Sequence, residues 1–173
     1  MPEIFSKRFE GKVALIAGGA HADENSLMGF AGLAALEIAR GGGKIIIGDI
    51  DDGAGEQSVK NMRDMGLTAD YSHLDVTSES DWISAVQKTS SLHGHLDIMI
   101  MAAGTNNRGE TIETVTVPKW RQVMDVTNLG MFLGVRSVAP KMRENGGGSI
   151  VLISSMMAKI THNQANAYAT SRA

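Results

Sequence analysis

The most informative stretch of this sequence is residues 12–49, which read KVALIAGGAHADENSLMGFAGLAALEIARGGGKIIIGD. Two short apolar runs, residues 12–17 and 44–47, are typical of strands that are buried on both faces of a sheet. Between them, residues 29–40 have the apolar spacing of a helix, and the glycines at 41–43 predict its end. A strand, a helix and a second strand in this order predict two parallel strands joined by a right-handed crossover.

The same alternation continues along the rest of the chain. Further strands are predicted at 68–74, 96–101 and 149–154. Further helices are predicted at 54–65, from a cap at Thr77 or Ser78 to about 92, and from about 166. A longer helical region is predicted from 116 to about 144, with a bend near 125–128. In the third helix we expect Trp82, Ile83 and Val86 to face the core. The pattern predicts an α/β fold with a doubly wound parallel sheet (Rossmann fold) covered by helices on both faces. Ligands of such sheets bind at the carboxyl ends of the strands.

The size and charge of the chain limit the classes of function. The 173 residues correspond to a single domain, 1–173, and 43% of them are hydrophobic, which is sufficient for one core. The 16 basic and 19 acidic residues give a net charge of -3 without a basic stripe, so we expect no nucleic-acid partner. No apolar run is long enough to span a membrane. The absence of cysteine fits a reducing compartment, and we expect a cytoplasmic protein with no metal site.

Glycines and an acid follow the first two predicted strands. Gly18, Gly19 and Gly29 lie between the first strand and the first helix. A glycine-rich turn there lets the backbone approach a pyrophosphate, although such turns also serve chain reversal alone. Asp49 ends the second strand and can bind the adenosine ribose hydroxyls, or it is an ordinary polar strand end. Because Asp49 and the acids that follow it would repel a 2′-phosphate, the sequence favours NAD over NADP.

Small and acidic residues follow the third and fourth predicted strands. Asp75 and Val76 end the third strand, where Asp75 either contacts a ligand or only belongs to a turn. Ala102, Ala103 and Gly104 end the fourth strand, and their small side chains let a ligand lie close to the strand ends.

The strongest chemical signal follows the fifth predicted strand. Ser155 precedes Tyr168 by thirteen residues, and Arg172 follows Tyr168 by four. Positions i and i+4 share one helix face, and as an isolated pair Tyr and Arg at this spacing are more often surface contacts. Here, however, the cation favours tyrosinate and lowers the pKa of Tyr168, which can then exchange a proton near neutral pH. Ser155 can hold a substrate carbonyl or alcohol oxygen.

Together these residues resemble the short-chain dehydrogenase/reductase family, in order, over essentially all 173 residues. The resemblance rests on the glycine turn, on Asp49, on Asp75 with Val76, and on the spacing of Ser155 and Tyr168. It implies the strand order 3-2-1-4-5 and hydride transfer between NAD(H) and a secondary alcohol or ketone. The catalytic residues that it implies are Ser155, Tyr168, Arg172 and Asn128. The cofactor-binding residues that it implies are Gly18, Gly19, Gly29, Asp49, Ile50, Asp75, Val76, Ala103, Gly104, Tyr168 and Arg172.

Several positions depart from the family pattern. The loop between Gly18 and Gly29 is longer than the usual form and resembles the turn of enoyl reductases in the same superfamily. Residues 101–102 (Met-Ala) replace a pair of asparagines. An ungapped alignment puts Thr127 at the position of the catalytic asparagine, with Asn128 one residue late. One residue turns a helical side chain by about 100°, so either a local bulge restores Asn128 or the water that this asparagine holds is lost.

Arg172 stands where the family has lysine. Arginine keeps the positive charge and can bind the nicotinamide ribose, but it does not release a proton in proteins. We therefore expect a turnover about 10²-fold lower than with lysine.

Members of the family continue beyond the point where this sequence ends, into a substrate-binding region that we expect these 173 residues to lack. Three interpretations remain: an NAD-dependent oxidoreductase, an NAD-binding fragment or pseudoenzyme without turnover, and a flavodoxin-like domain that binds no dinucleotide. The last does not explain Asp49, Asp75 and the Ser155–Tyr168 spacing together. The resemblance also implies a small-molecule alcohol or ketone substrate and a homo-oligomer, a dimer or tetramer, with which the apolar residues 131–138 are compatible.

Overall fold

The computed structural model describes residues 7–20, 29–160 and 164–173. Its centre is a sheet of five parallel strands in the order β3-β2-β1-β4-β5. The strands are β1 (Val13–Ala17), β2 (Lys44–Asp49), β3 (Ala69–His73), β4 (Ile98–Met101) and β5 (Ser149–Leu152). The helices are α1 (Phe30–Arg40), α2 (Asp52–Asp64), α3 (Glu79–His93), α4 (Val117–Met124), α5 (Gly130–Glu144) and α6 (Asn166–Arg172). The predicted fold class and strand order are confirmed.

The central strand β1 divides the core into two layers. All five of its residues are buried, and alternate side chains point to opposite faces of the sheet. Ala14 and Ile16 pack with residues of α1 and α2, whereas Leu15 and Ala17 pack with residues of α3 and α5. The continuous apolar run in the sequence therefore reflects a strand that is covered on both faces.

Side-chain caps begin most of the helices that follow strand ends. The side chains of Asp51, Ser78 and Thr116 accept hydrogen bonds from main-chain N–H groups in the first turns of α2, α3 and α4. These bonds satisfy donors that a helix start leaves without a partner. Helix α6 begins after Ala165, which has no side-chain acceptor to offer. No helix within the described ranges is long and apolar enough to cross a membrane.

Helix α3 buries a narrower face than we expected. Trp82 is fully buried and Val86 is half-buried, but Ile83 is 46% exposed. The prediction for Ile83 was wrong because consecutive helical residues point about 100° apart. The buried face is defined by Trp82, Ala85 and Thr89.

A π-helical turn, Asp125–Leu129, joins α4 to α5 at the place of the predicted bend. A π-turn holds one residue more than an α-turn and shifts the direction of the side chains that follow it. Within it Thr127 is fully buried, whereas Asn128 is exposed and its Nδ2 donates to the carbonyl oxygen of Ser171 in α6, at 3.1 Å.

Candidate active site

Two neighbouring cavities open along the carboxyl ends of the strands. The first cavity, about 390 Å³, extends over the ends of β1, β2 and β3. The second cavity, about 530 Å³, lies between the residues that follow β4 and β5 and helix α6. Ala102, Gly104 and Thr105 line both cavities, so the segment after β4 forms their common wall.

Most of the residues chosen from the sequence line one of these cavities. Ser155, Tyr168 and Arg172 line the second cavity. Gly19 is buried and Gly29 is the exposed N-cap of α1, and neither is among the described residues that line these two cavities. The predicted cofactor-binding residues that line the first cavity are Gly18, Asp49, Ile50, Asp75, Val76, Ala103 and Gly104. The long loop at 21–28 lies outside the described residues.

Gly18 allows the end of β1 to approach the end of β4. Its φ is +79°, and a Cβ at this position would lie 2.5 Å from the main-chain nitrogen of Ala103. The Gly18 N–H donates to the carbonyl of Gly48 at 2.8 Å, which closes the turn onto β2. Only glycine fits both the left-handed backbone and the contact.

The carboxylate of Asp49 connects the end of β2 to the glycine turn. Its Oδ2 accepts from the Ala20 N–H at 3.0 Å, and its Oδ1 accepts from the Asp51 N–H at 3.2 Å. Because each carboxylate oxygen has a second lone pair, both can still accept a bond from a ligand. Asp49 is thus a fixed acceptor at the edge of the first cavity.

Three polar side chains join α2 to β3 beside Asp49. The Tyr71 hydroxyl lies 2.6 Å from the Asp49 carbonyl oxygen and 2.7 Å from Oδ1 of Asp52, so these two acceptors share its one proton. Nδ1 of His73 lies 2.7 Å from the same Asp52 oxygen. These bonds, from Tyr71 first and His73 second, lower the pKa of Asp52. Burial, followed by the bond to Asp52, raises the pKa of Tyr71. The bond to Asp52 raises the pKa of His73.

Asp75 and Val76 are held by the start of α3. Oδ1 of Asp75 accepts from the N–H and the hydroxyl of Thr77, at 2.9 and 2.7 Å, and the Asp75 N–H donates to Asp81. Nε1 of Trp82 donates to the carbonyl of Val76 at 2.9 Å. Asp75 therefore belongs to a turn and also lines the first cavity, so the two interpretations of the sequence are compatible.

Ser155 and Tyr168 come to the second cavity from separate elements. Ser155 follows β5 and caps a short 3-10 turn, Met156–Ala158, by accepting from the Met157 N–H at 3.1 Å. Tyr168 lies on α6 and is half-buried. A hydroxyl and a phenol, two groups that can bind an alcohol or carbonyl oxygen, therefore line the same cavity.

The guanidinium of Arg172 is directed at the main chain. Arg172 is 7% exposed; its Nη1 donates to the Ile153 carbonyl at 2.6 Å, and its Nη2 lies 3.5 Å from the Ala103 carbonyl. A Cβ at Gly104 would lie 1.9 Å from Nη2, and Cζ of Arg172 lies 5.3 Å from the centre of the Tyr168 ring. Arg172 therefore connects the segments after β4 and β5 and keeps its charge near the phenol.

Asn128, which the sequence suggested as catalytic, lines neither cavity. Its amide, which lies in the π-turn, instead donates to the Ser171 carbonyl of α6. Thr127, at the alternative alignment position, is fully buried, and its Oγ1 has no hydrogen-bond partner among the described residues.

Asn107 is a residue of the site that was not predicted from the sequence. This residue is 1% exposed, and its Oδ1 accepts from the Tyr168 N–H at 3.2 Å. The partners are separated by 61 residues, so no local pattern marks Asn107. The neighbouring residues Asn106 and Arg108 line the second cavity. Across the described ranges, no group of three His, Asp or Glu side chains could hold a metal ion.

Comparison with known proteins agrees with this geometry. The family model for short chain dehydrogenase matches residues 12–173. The chain belongs to this family. It is 39% identical over 151 residues to a 3-alpha-(or 20-beta)-hydroxysteroid dehydrogenase of Mycobacterium tuberculosis, with 87% of this chain and 54% of that protein covered. It is 37% identical over 152 residues to the mitochondrial borneol dehydrogenase of Lavandula x intermedia, with 87% and 54% covered.

A solved structure is similar to nearly the whole of this chain. It is a 7 alpha-hydroxysteroid dehydrogenase complexed with NADH and 7-oxo glycochenodeoxycholic acid. The TM-score is 0.86 at 26% identity, and the match covers 99% of this chain and 64% of that one. The chain thus spans about half the length of the curated relatives that it matches.

Proposed function

We propose that residues 1–173 form a single NAD(H)-binding domain of an oxidoreductase that transfers a hydride between NAD(H) and a secondary alcohol or ketone. One observation carries this proposal: a cavity lined by Ser155 and Tyr168 shares a wall with a cavity lined by Asp49 and Asp75. The first pair has the chemistry for proton exchange with an alcohol oxygen. The second pair has the acceptors for an adenosine.

The described residues fit an elongated dinucleotide. Two cavities with a common wall suit a ligand with two nucleoside ends, and the residues of that wall, Ala102, Gly104 and Thr105, are small. When bound, the nicotinamide ring accepts or donates the hydride. Tyr168 takes the hydroxyl proton of an alcohol, or returns it to a ketone oxygen, and Ser155 donates a hydrogen bond to that same oxygen. Arg172 places its positive charge beside the Tyr168 ring, with Cζ 5.3 Å from the ring centre.

NAD is the preferred cofactor because acids surround the end of β2. A 2′-phosphate beside Asp49 would meet this carboxylate and those of Asp51 and Asp52. Two unit charges about 4 Å apart repel by ~1 kcal/mol in water and by ~4 kcal/mol at the effective dielectric of a protein surface. We expect this repulsion to weaken NADPH binding by at least about tenfold.

A ring-borne secondary alcohol is the proposed substrate class. The names of two relatives refer to such alcohols, borneol in one case and a 3-alpha-hydroxysteroid, given as an alternative to a 20-beta-hydroxysteroid, in the other. Ala102, Met157 and Ala165 give the second cavity apolar surface beside Ser155 and Tyr168. Apolar walls with a few convergent polar groups are the common form of a small-molecule site.

The decisive experiment is a titration of the 173-residue chain with NADH, followed by nicotinamide fluorescence. We expect saturable binding, weaker binding of NADPH, and a loss of about tenfold or more in NADH affinity for Asp49→Ala, because a hydrogen bond to a charged group contributes ~1.5–3 kcal/mol. Asp64→Ala is the matched control, since Asp64 is an exposed acid at the other end of α2. If a folded chain shows no NADH binding, or if both variants bind equally, the proposal fails.

A turnover assay follows with borneol or cyclohexanol and NAD⁺, recording NADH formation at 340 nm. Tyr168→Phe is the comparison, because it removes the exchanged proton and keeps the ring. Turnover by the chain and its loss in this variant would support the role of Tyr168. Equal rates for the two proteins would contradict it.

A second candidate function is NAD binding without turnover. It is favoured by Arg172, whose guanidinium binds the Ile153 carbonyl, and by Asn128, which lies outside both cavities. NADH binding without oxidation of any alcohol, even after Arg172→Lys, would favour this candidate. A gain of activity in Arg172→Lys would favour the enzyme.

We also propose that the protein forms a homo-oligomer, a dimer or tetramer. The exposed surface of α5 includes Phe132, which is 57% exposed. Light scattering during gel filtration measures the molar mass. A mass equal to that of one chain at micromolar concentration would exclude the oligomer.

A further inference from the structure

Helix α6, which presents Tyr168 to the second cavity, has no side-chain cap of its own. It begins after Ala165, which makes no side-chain capping bond. The main-chain N–H groups in the first turn of a helix have no partner within the helix. A side-chain acceptor for these groups in α6 therefore has to come from another part of the fold.

One such acceptor comes from the loop after β4. Oδ1 of Asn107 accepts from the main-chain N–H of Tyr168 at 3.2 Å, as the side chain of a capping residue would. The contact reaches Tyr168 itself, in the first turn of α6, across a sequence separation of 61 residues.

The amide nitrogen of the Asn107 side chain also has hydrogen-bond partners. Nδ2 of Asn107 donates to the Glu110 carbonyl at 3.3 Å and lies 3.4 Å from Oδ1 of Asn166. Because an N–H group can face only the amide oxygen and a carbonyl can face only the amide NH₂, these neighbours determine the orientation of the side chain. Asn107 is only 1% exposed, so its amide group cannot exchange these partners for water molecules.

Two main-chain contacts near this amide join the loop after β4 to the residues that precede α6. The Gly109 N–H donates to the Gln164 carbonyl at 3.3 Å, and Glu110 forms a parallel bridge with Ala165. Residues 105–110, here called the docking loop, are thus attached to the residues that lead into α6. Thr105, Asn106 and Arg108 of the docking loop line the second cavity.

We propose that Asn107 is a positioning residue for Tyr168, which fixes the start of α6 and the opposite wall of the second cavity as one unit. The inference rests on the proposed role of Tyr168 in proton exchange. The phenol must lie within hydrogen-bond distance of a substrate oxygen, and a displacement of about 1 Å can lower a rate by about 10²-fold. The hydrogen bond from the Tyr168 N–H to Oδ1 of Asn107 restrains the tyrosine against such a displacement.

The test uses the whole 173-residue chain and two substitutions of Asn107. Asn107→Leu has a similar shape and removes both hydrogen-bonding ends. Asn107→Asp keeps an oxygen for the Tyr168 N–H and removes the donor to Glu110. Val59→Ala is the control for a general loss of stability, because Val59 is 3% exposed in the core beneath α2 and is not part of either cavity.

Two NMR measurements report on Tyr168 without any need for turnover. The first is the hydrogen-exchange rate of its amide. The second is the pH titration of its ring carbon in protein with ¹³C-labelled tyrosine, for which the chain is suited because it contains only two tyrosines. Tyr71→Phe identifies the other signal.

We expect Asn107→Leu to accelerate exchange of the Tyr168 amide by at least about tenfold and to move the midpoint of the ring titration. We expect Asn107→Asp and Val59→Ala to keep the exchange rate within about threefold of the unmodified chain. The proposal is overturned if Asn107→Leu matches Val59→Ala in both measurements, or if Asn107→Asp behaves like a full loss of the cap. If Asn107→Leu does not fold, the Asp variant decides alone: slow exchange supports the cap, and a tenfold acceleration overturns it.

An NADH titration of the same samples separates this inference from the proposed function. Accelerated Tyr168 exchange in Asn107→Leu, in a chain that binds no NADH, would count against the oxidoreductase and not against the cap. NADH binding with unchanged Tyr168 exchange in that variant would count against the cap alone.

Discussion

Replacing Trp82 by phenylalanine tests how the core supports the first cavity. The Trp82 side chain is fully buried, and its Nε1 donates to the carbonyl of Val76, which lines that cavity. Phenylalanine keeps an aromatic ring in the same space but cannot donate. The substitution therefore leaves a buried carbonyl without its partner.

The expected loss of stability has two parts. An unsatisfied buried carbonyl costs about 1–3 kcal/mol. Removal of a whole buried aromatic side chain costs about 3–5 kcal/mol, so the smaller change from indole to phenyl accounts for roughly 1 kcal/mol. The free energy of unfolding should fall by about 2–4 kcal/mol, a large share of the roughly 5–15 kcal/mol of a typical domain.

Urea unfolding followed by circular dichroism measures this loss. With a slope of about 2 kcal/mol per molar urea, the midpoint should fall by about 1–2 M. Trp120→Phe is the control, because Trp120 is the other tryptophan, is half-buried and lies on α4. If Trp82→Phe changes the midpoint no more than Trp120→Phe does, the hydrogen bond to Val76 does not support the fold as we argue.

Three further predictions concern the cavities and their borders. Gly18→Ala should abolish NADH binding in the fluorescence titration, since its Cβ would lie 2.5 Å from main-chain nitrogen at a φ of +79°; unchanged affinity would contradict the close approach. Gly104→Ala should lower the melting temperature in the native chain but much less in an Arg172→Lys background, because the new methyl group meets the guanidinium; equal losses in both backgrounds would refute the contact. His73→Gln should flatten the fall in melting temperature between about pH 6 and 8. The bond to Asp52 raises the pKa of His73, so its contribution is complete below the ordinary value of about 6.5 and is lost as the pH rises through the raised pKa. A variant whose melting temperature falls as steeply as that of the native chain would exclude this pair as the cause.

The sequence was sufficient to predict the strands and the strand-end residues. Residues 44–47 could be assigned to a buried strand because an uninterrupted apolar run has few other uses in a small α/β domain. Asp49 and Asp75 could be placed at one edge because the carboxyl ends of parallel strands meet there. These inferences use only local pattern and the geometry of a parallel sheet.

Side-chain partners that are distant in sequence could not be predicted. The hydrogen bond from Nη1 of Arg172 to the Ile153 carbonyl could not be predicted, because it forms only where the segment after β5 comes close to α6. Asn107 was overlooked because its partner Tyr168 lies in a different element. The possible bulge near Asn128 was recognised, but the direction of its side chain depends on the packing of α6.

The π-turn at Asp125–Leu129 also sets the phase of the long helical segment. Helix α4 packs against α6, and helix α5 packs against α3, where Gly134 contacts the ring of Trp82. The extra residue of the π-turn rotates everything after it by about 100° relative to an uninterrupted α-helix. Deletion of a single residue within this turn would let the helix run straight and bring one of its two contact faces out of alignment. A substitution in this turn should therefore change only local contacts. A one-residue deletion should instead disrupt the packing of the segment against α3 or against α6.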